Sequence, residues 1–216
     1  MATPIPSLDC PLCPRLVEYR LECREKFPDW HNAPVPSFSD TPNKVQLLIV
    51  GLAPGLRGAN RTGRPFTGDW AGDLLYAMLL DHGFAKGDYK SEPDDGVKLI
   101  KTRITNAVRC VPPQNKPTGA ECAACRPFLA EEIAALPNLK VIMCLGRISH
   151  DNTLRALGIK LKDAPFSHGG VNEIEGPRGP LTLIDSYHCS RYNTNTGRLT
   201  EEMFSDVFVR IKALLQ

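Results

Sequence analysis

The stretch Val45-Gln46-Leu47-Leu48-Ile49-Val50-Gly51-Leu52-Ala53-Pro54-Gly55 decides the fold. An apolar run of about six residues that breaks into a glycine-rich turn reads as a strand buried on both faces. Three further runs share this character: Arg103 to Val108, Val141 to Leu145 and Leu181 to Ser186. Helical patterns lie between them, at Asp69 to His82, Thr118 to Leu136 (with Pro127 expected to kink or break it), Ser149 to Leu157 and Glu201 to Leu215. Gly83 follows the first of these helices, and Thr200 is placed to cap the last. Val171 to Ile174 and the Gly176-Pro177-Arg178-Gly179 turn predict a hairpin with the last strand. The proline-rich segment 28–43 reads as an extended connector. Continuous apolar strands alternating with helices predict an α/β fold, a parallel sheet covered on both faces.

The chain has 216 residues, 42% of them hydrophobic and 23% charged, which suits one domain with a real core and excludes a disordered, collagenous or coiled-coil chain. No apolar run approaches the ~20 residues of a membrane-spanning helix. The first residues, Met1 to Pro4, lack a basic stretch followed by an apolar one, so an export signal is not expected and a cytoplasmic protein is. The net charge of +2 neither demands nor excludes nucleic acid.

In open α/β sheets, ligands sit at the carboxyl ends of the strands. Three unusual segments fall there: the loop from Gly51 to Asp69, the end Asn106-Ala107-Val108-Arg109-Cys110, and Tyr187-His188-Cys189-Ser190. The Gly51–Gly68 loop has neither the Gly-Lys-Ser/Thr ending of a nucleotide-binding P-loop nor the Gly-x-Gly-x-x-Gly dinucleotide pattern. It carries Arg57, Arg61 and Arg64, which read equally as nucleic-acid backbone contacts and as solvated surface charge.

Eight cysteines call for a separate reading. Cys144 lies in an apolar run and reads as a buried thiol. Cys10-Pro11-Leu12-Cys13 and Cys122-Ala123-Ala124-Cys125 are two Cys-x-x-Cys pairs, with Cys110 upstream of the second. Four thiolates suit tetrahedral zinc or an iron–sulfur cluster, and the spacing alone favours zinc on the two pairs.

Taken together, several strings resemble one family. They are Gly51-Leu52-Ala53-Pro54-Gly55, Asn60 to Asp69, Asn106 to Cys110, Cys125-Arg126-Pro127-Phe128-Leu129, and His188-Cys189-Ser190 followed by Asn193 to Leu199. This is similar to the type B, or family 5, uracil-DNA glycosylases of the iron–sulfur branch of that superfamily. The likeness spans nearly the whole chain, in the family's order.

The resemblance implies a three-layer α/β/α sandwich on a four-stranded, mostly parallel sheet. It implies one domain over 1–216, with an arm over about 1–43 clamped by a 4Fe-4S cluster on Cys10, Cys13, Cys110 and Cys125, leaving Cys122 a bystander. It further implies a monomeric, nucleoid-associated enzyme of prokaryotic type that removes uracil, hypoxanthine or xanthine from DNA. A lesion base must leave the stack to be cut, so the expected pocket needs a wall, an edge reader and charge stabilisation. Phe66 is the expected wall, Asn106 the edge reader and His188 the donor to the leaving base. Asp69 is a helix cap, a water-orienting catalyst or both. Gly51, Leu52 and Ala53 would shape the floor. Ser190, Arg191, Tyr192 and Asn193 would enter the DNA groove with Arg57, Arg61 and Arg64 on the backbone. Two positions are distinctive: Cys189 stands where a proline usually follows the histidine, and Leu52 stands where a related iron–sulfur family carries an acid. The alternatives are a non-catalytic zinc or iron–sulfur nucleic-acid-binding module and a hydrolase of free nucleotides.

Overall fold

A computed structural model describes residues 5–216; the stretch Met1–Pro4 lies outside the described residues. Helices are α1 (Pro14–Lys26), α2 (Ala59–Thr62), α3 (Trp70–Asp81), α4 (Gly119–Ala134), α5 (Arg147–Ala156), α6 (Arg191–Asn195) and α7 (Glu201–Leu214). Strands are β1 (Phe38–Ser39), β2 (Leu47–Gly51), β3 (Ala85–Lys86), β4 (Lys98–Leu99), β5 (Thr102–Asn106), β6 (Val141–Leu145), β7 (Val171–Gly176) and β8 (Gly179–Ser186).

The central sheet runs β1-β5-β2-β6-β8-β7, and β3 pairs with β4 in a separate two-stranded ribbon. The four expected strands are its parallel centre: β2 pairs with β5 and β6, and β6 with β8. The expected hairpin is present as β7 and β8, and the four-stranded sheet that the resemblance implied is corrected to six strands, because β1 and β7 add antiparallel edges. Alternate residues of the central strands feed two cores. Leu47, Ile49, Ile104, Met143 and Ile184 pack with Leu75, Leu79, Phe204 and Phe208 from α3 and α7. Leu48, Val50, Ile142, Cys144 and Leu183 pack with Leu129, Ile133 and Leu154 from α4 and α5. This is the pattern of a sheet with helices on both faces.

Two local expectations also change. Helix α4 continues through Pro127 instead of breaking. An interior proline removes one helical hydrogen bond and costs about 3 kcal/mol. Offsetting contacts lie on both sides of it. Thr118 and Glu121 form a reciprocal capping box. Beyond the proline, buried Glu132 accepts from Arg103, Arg109, Ser37 and Thr105, riveting α4 to β5. Helix α1 was not anticipated; its buried stripe is only Leu16, Arg20 and Cys23.

From β2 the chain passes to β5 on one side and later to β6 on the other. That reversal leaves a crevice beyond the carboxyl end of β2, where Gly51 begins the glycine-rich loop.

Candidate active site

A cavity of about 350 Å³ opens in that crevice, lined by Leu52, Ala53, Phe66, Asp69, Asn106 and His188 among others. It is of a size that holds a small heterocycle. Residues far apart in sequence are thus brought to one hollow, as the strand-end reading predicts.

Close backbone approach builds its wall. A Cβ on Gly51 would lie 2.4 Å from Asn106 Oδ1 and 2.6 Å from Phe66 Cζ, so only glycine lets the ring and the amide lie against the end of β2. Phe66 has φ +52°, a left-handed conformation unusual for an aromatic residue. Tyr89 holds it by donating from its hydroxyl to the Phe66 carbonyl at 3.2 Å, while Tyr76 donates to the Pro65 carbonyl at 3.1 Å. The Phe66 and His188 rings stand 6.1 Å apart, tilted by 32°. Asn106 sits at the end of β5, register partner of Gly51. Its Oδ1 is buried with no hydrogen-bond partner among the described residues. A buried acceptor left unpaired costs about 1–3 kcal/mol, so a ligand donor is favoured there.

His188 is half-buried, and desolvation alone pushes its pKa down to about 4, so the ring is neutral at neutral pH. Asn193 donates from its side-chain amide to the His188 carbonyl at 2.8 Å, fixing the backbone there. Asp69 caps α3, its Oδ1 accepting from the Gly72 N–H at 3.1 Å. Its Oδ2 lies where a Cβ on Gly55 or Gly58 would be, at 2.8 and 2.2 Å, so both glycines make room for the carboxylate. Burial raises the Asp69 pKa against the opposing pull of the Gly72 N–H.

The other named residues divide. Ser190 and Arg191 line the cavity, and Tyr192 stands 73% exposed beside it on α6. Arg57 is exposed, whereas Arg61 is engaged by Glu92 at 3.1 Å. Arg64 is corrected outright: it is 5% exposed and inside the protein. Its guanidinium grips Asp95 through two 2.7 Å bonds within a cage of Phe38, Tyr76 and Tyr89 rings. That pair drives the Asp95 pKa down to about 2 and holds up the same tyrosines that fix Phe66. Gly51 lies beneath the cavity wall and does not itself line it. Cys189 is buried and donates from its thiol to the Ala71 carbonyl at 3.4 Å, tying this loop to α3.

Two lining residues with hydrogen-bonding side chains, Trp70 and Asn115, escaped the sequence reading. Trp70 is 48% exposed and donates from its indole to Thr194 Oγ1 at 3.1 Å, with the Arg191 guanidinium 5.7 Å from its ring. Asn115 reaches the cavity from a loop in which both Gln114 and Asn115 have φ near +56°. Consecutive left-handed non-glycine residues at a pocket rim mark stored strain, which is invisible in sequence.

The cysteines converge elsewhere. Cys10, Cys13, Cys110 and Cys125 line one small cavity with Leu12, Leu16, Val108 and Phe128, and Cys122 is not among its lining residues. The Arg109 N–H donates to Cys125 Sγ at 3.4 Å, and the Arg20 guanidinium lies 3.9 Å from Cys110 Sγ. Burial pushes the Cys13 thiol up to about 11 and the Cys110 thiol up to about 12. Among the described residues no three His, Cys, Asp or Glu side chains are close enough to share a single metal ion. Four cysteines around a hollow, with N–H groups directed at sulfur, fit a cluster wider than one ion. Cys122 packs in the same apolar cluster as Cys13, Cys110 and Cys125. The arm is tied to α4 and the loop before it by Arg15, which forks onto Glu121 at 2.7 and 2.8 Å and donates to the Lys116 carbonyl at 3.0 Å.

The model of the Uracil DNA glycosylase superfamily matches residues 38–212, and the chain belongs to that superfamily. Within it, the chain is 44% identical over 211 residues to the Type-5 uracil-DNA glycosylase of Thermus thermophilus, covering 95% of this chain and 93% of that protein. It is 40% identical to the Type-5 uracil-DNA glycosylase of Mycobacterium leprae, covering 95% and 91%. It is 32% identical over 147 residues to the Type-4 uracil-DNA glycosylase of Archaeoglobus fulgidus, covering 67% and 65%. Among the described residues no helix is long and apolar enough to cross a membrane.

Proposed function

We propose that this chain is a monofunctional DNA glycosylase that extrudes uracil from DNA, hydrolyses its N-glycosidic bond and leaves an abasic site. The observation that carries this reading is the buried, unpaired Asn106 Oδ1 in the wall of a cavity shared with Phe66, His188 and Asp69. An amide acceptor suits the N3–H of uracil, and the amide N–H₂ suits its O4. Phe66 supplies the flat surface on which an extruded base stacks.

In this mechanism the neutral His188 ring donates a hydrogen bond to uracil O2 as negative charge develops on the departing base. A preorganised donor in a water-poor site lowers the barrier because the charge appears only as the bond breaks. Asp69 keeps Oδ1 on the α3 cap and turns its remaining charge toward the sugar cation and an attacking water. Among the described residues no lysine lines the cavity to trap the sugar covalently. The Ser190–Asn193 segment fills the duplex where the base has left, with Arg191 and Tyr192 the side chains long enough to do so.

The chain reads as one domain over 1–216 in which the N-terminal arm is clamped against the β5–α4 loop. Cys10, Cys13, Cys110 and Cys125 would hold a 4Fe-4S cluster, whose contribution is structural: it would cross-link arm, loop and helix. A base-release assay on duplexes carrying uracil, hypoxanthine or xanthine tests the activity. Free uracil and an alkali-labile abasic strand are expected. Tight DNA binding with every base retained would instead favour a non-catalytic module.

A further inference from the structure

In the reading above, α6 and the serine before it carry the side chains that fill the duplex, yet little within the segment holds it in place. None of Arg191 to Asn195 is buried. A helix this short does not persist in water without contacts from the rest of the fold. The Ser190 cap and the Thr194 and Thr196 hydroxyls bond to backbone groups of the segment itself. Asn193 donates from its amide to the His188 carbonyl and accepts on its own carbonyl from the Leu199 N–H, both neighbours in the same loop. Beside α6, where a packed core would support it, lies a cavity of about 470 Å³ lined by Leu74, Thr194, Asn195 and Leu199 among others.

One hydrogen bond reaches α6 from elsewhere. Among the described residues, the Trp70 indole N–H is the single donor to it from outside residues 188–199, to Thr194 Oγ1 at 3.1 Å. The Arg191 guanidinium lies 5.7 Å from the centre of the same ring, within the range at which a cation is attracted to an aromatic. Trp70 is the first residue of α3 and directly follows Asp69, the cap of that helix. The bond from Cys189 Sγ to the Ala71 carbonyl ties the His188 loop to α3 separately from Trp70.

We infer that Trp70 is a positioning residue for base extrusion: it latches α6 to the head of α3, so that the side chains replacing the base in the duplex are seated relative to Asp69. The inference rests on the glycosylase reading and adds to it the contact that sets where the filling segment enters. Trp70 acts through α6, before the glycosidic bond breaks. Its loss therefore costs most where extrusion is most expensive, which is from a Watson–Crick pair, less from a mismatch and least from a single strand.

The test compares wild type with Trp70→Ala, Trp70→Phe, Thr194→Val and the double variant Trp70→Phe/Thr194→Val, each with its melting temperature checked. Thr196→Val is the control, because its hydroxyl bonds only within the segment. Single-turnover release of uracil is measured from U·A, U·G and single-stranded substrates. Extrusion itself is read as the fluorescence rise of a 2-aminopurine next to a non-cleavable 2′-fluoro-2′-deoxyuridine. Trp70→Ala is expected to be at least about tenfold slower on U·A, less affected on U·G and within about twofold of wild type on single strand, with a matching loss of the fluorescence rise. Trp70→Phe, which keeps a ring beside Arg191, and Thr194→Val should each lose about three- to tenfold on U·A, and the double variant no more than either alone. Thr196→Val should stay within about twofold throughout. Falls of equal size on every substrate that wild type cleaves, additive losses in the double variant, or a full fluorescence rise in Trp70→Ala overturn the latch and leave the glycosylase reading standing. A wild type that releases uracil from none of the substrates ends the glycosylase reading, and the latch with it.

Discussion

Replacing Gly51 with alanine places one methyl group at the contact that shapes the base cavity. The new Cβ would lie 2.4 Å from Asn106 Oδ1, 2.6 Å from Phe66 Cζ and 2.7 Å from Phe66 Cε2. Ordinary contact begins near 3.4 Å, so the amide must retreat by about 1.0 Å and the ring by about 0.8 Å. The ring cannot yield freely, because the Phe66 backbone is held by Tyr89 and a Cβ on neighbouring Gly72 would already meet the Phe66 carbonyl at 2.0 Å. Overpacking of this kind costs about 1–3 kcal/mol, or roughly 3–9 °C in melting temperature for a chain of this size. Displacing two substrate-facing groups by an ångström costs about a hundredfold in the rate of base release. Single-turnover kinetics on a uracil duplex, with circular dichroism melting beside it, reads both quantities. Gly119→Ala is the control, since a Cβ there meets nothing within 4 Å and both quantities should hold. A Gly51→Ala enzyme that melts lower yet releases uracil within about twofold of wild type would show that Phe66 and Asn106 do not touch the base in the transition state.

Asp69→Asn keeps a good helix cap, so melting should shift by less than about 1 kcal/mol, while base release should fall by about a hundredfold or more; a matching loss of fold would reduce Asp69 to a cap. The Asp95 carboxyl is depressed to about 2 by Arg64, so its stabilisation is full above the unfolded carboxylate pKa and is lost as pH falls through about 2. Asp95→Asn should therefore melt lower at neutral pH and show a flatter decline in acid than wild type, and parallel curves would refute that. His188 must stay neutral to donate without prior charge and burial raises the Asp69 carboxyl above its ordinary value, so base release should fall in acid as Asp69 protonates and as pH approaches about 4; a rate that rises as His188 protonates would contradict the assignment. Anaerobically prepared wild type should be brown with broad visible absorbance, Cys110→Ser should lose colour and Cys122→Ser should keep it; a colourless wild type containing zinc would sink the cluster.

How much was legible in the sequence follows from burial. The four central strands could be read because strands buried on both faces need unbroken apolar runs. Of the edges, β7 was legible from its turn, as the hairpin partner of the last strand, although it buries only Ile174 out of six, whereas β1, with two residues, was not. Helix α1 hid because Arg20, a charged residue, supplies part of its buried stripe. Asp69 was legible as a cap because capping is local chemistry. Arg64 was misread because a charge in a glycine-rich loop looks solvated. Its partner Asp95 lies 31 residues on, and no local pattern assembles the cage of three rings around them. The cysteines show the same limit, since spacing names only the two Cys-x-x-Cys pairs while the fold also brings Cys110 to the hollow that Cys10, Cys13 and Cys125 line. Asn115 and Trp70 reach the cavity only through tertiary placement.

The most direct measurement is a crystal structure of the protein on a duplex carrying 2′-fluoro-2′-deoxyuridine, whose glycosidic bond resists cleavage. The uracil ring should lie outside the helix and over Phe66, its N3–H on the Asn106 oxygen and its O2 facing the His188 ring. A uracil still stacked in the duplex, or lodged on another face of the protein, would contradict the account.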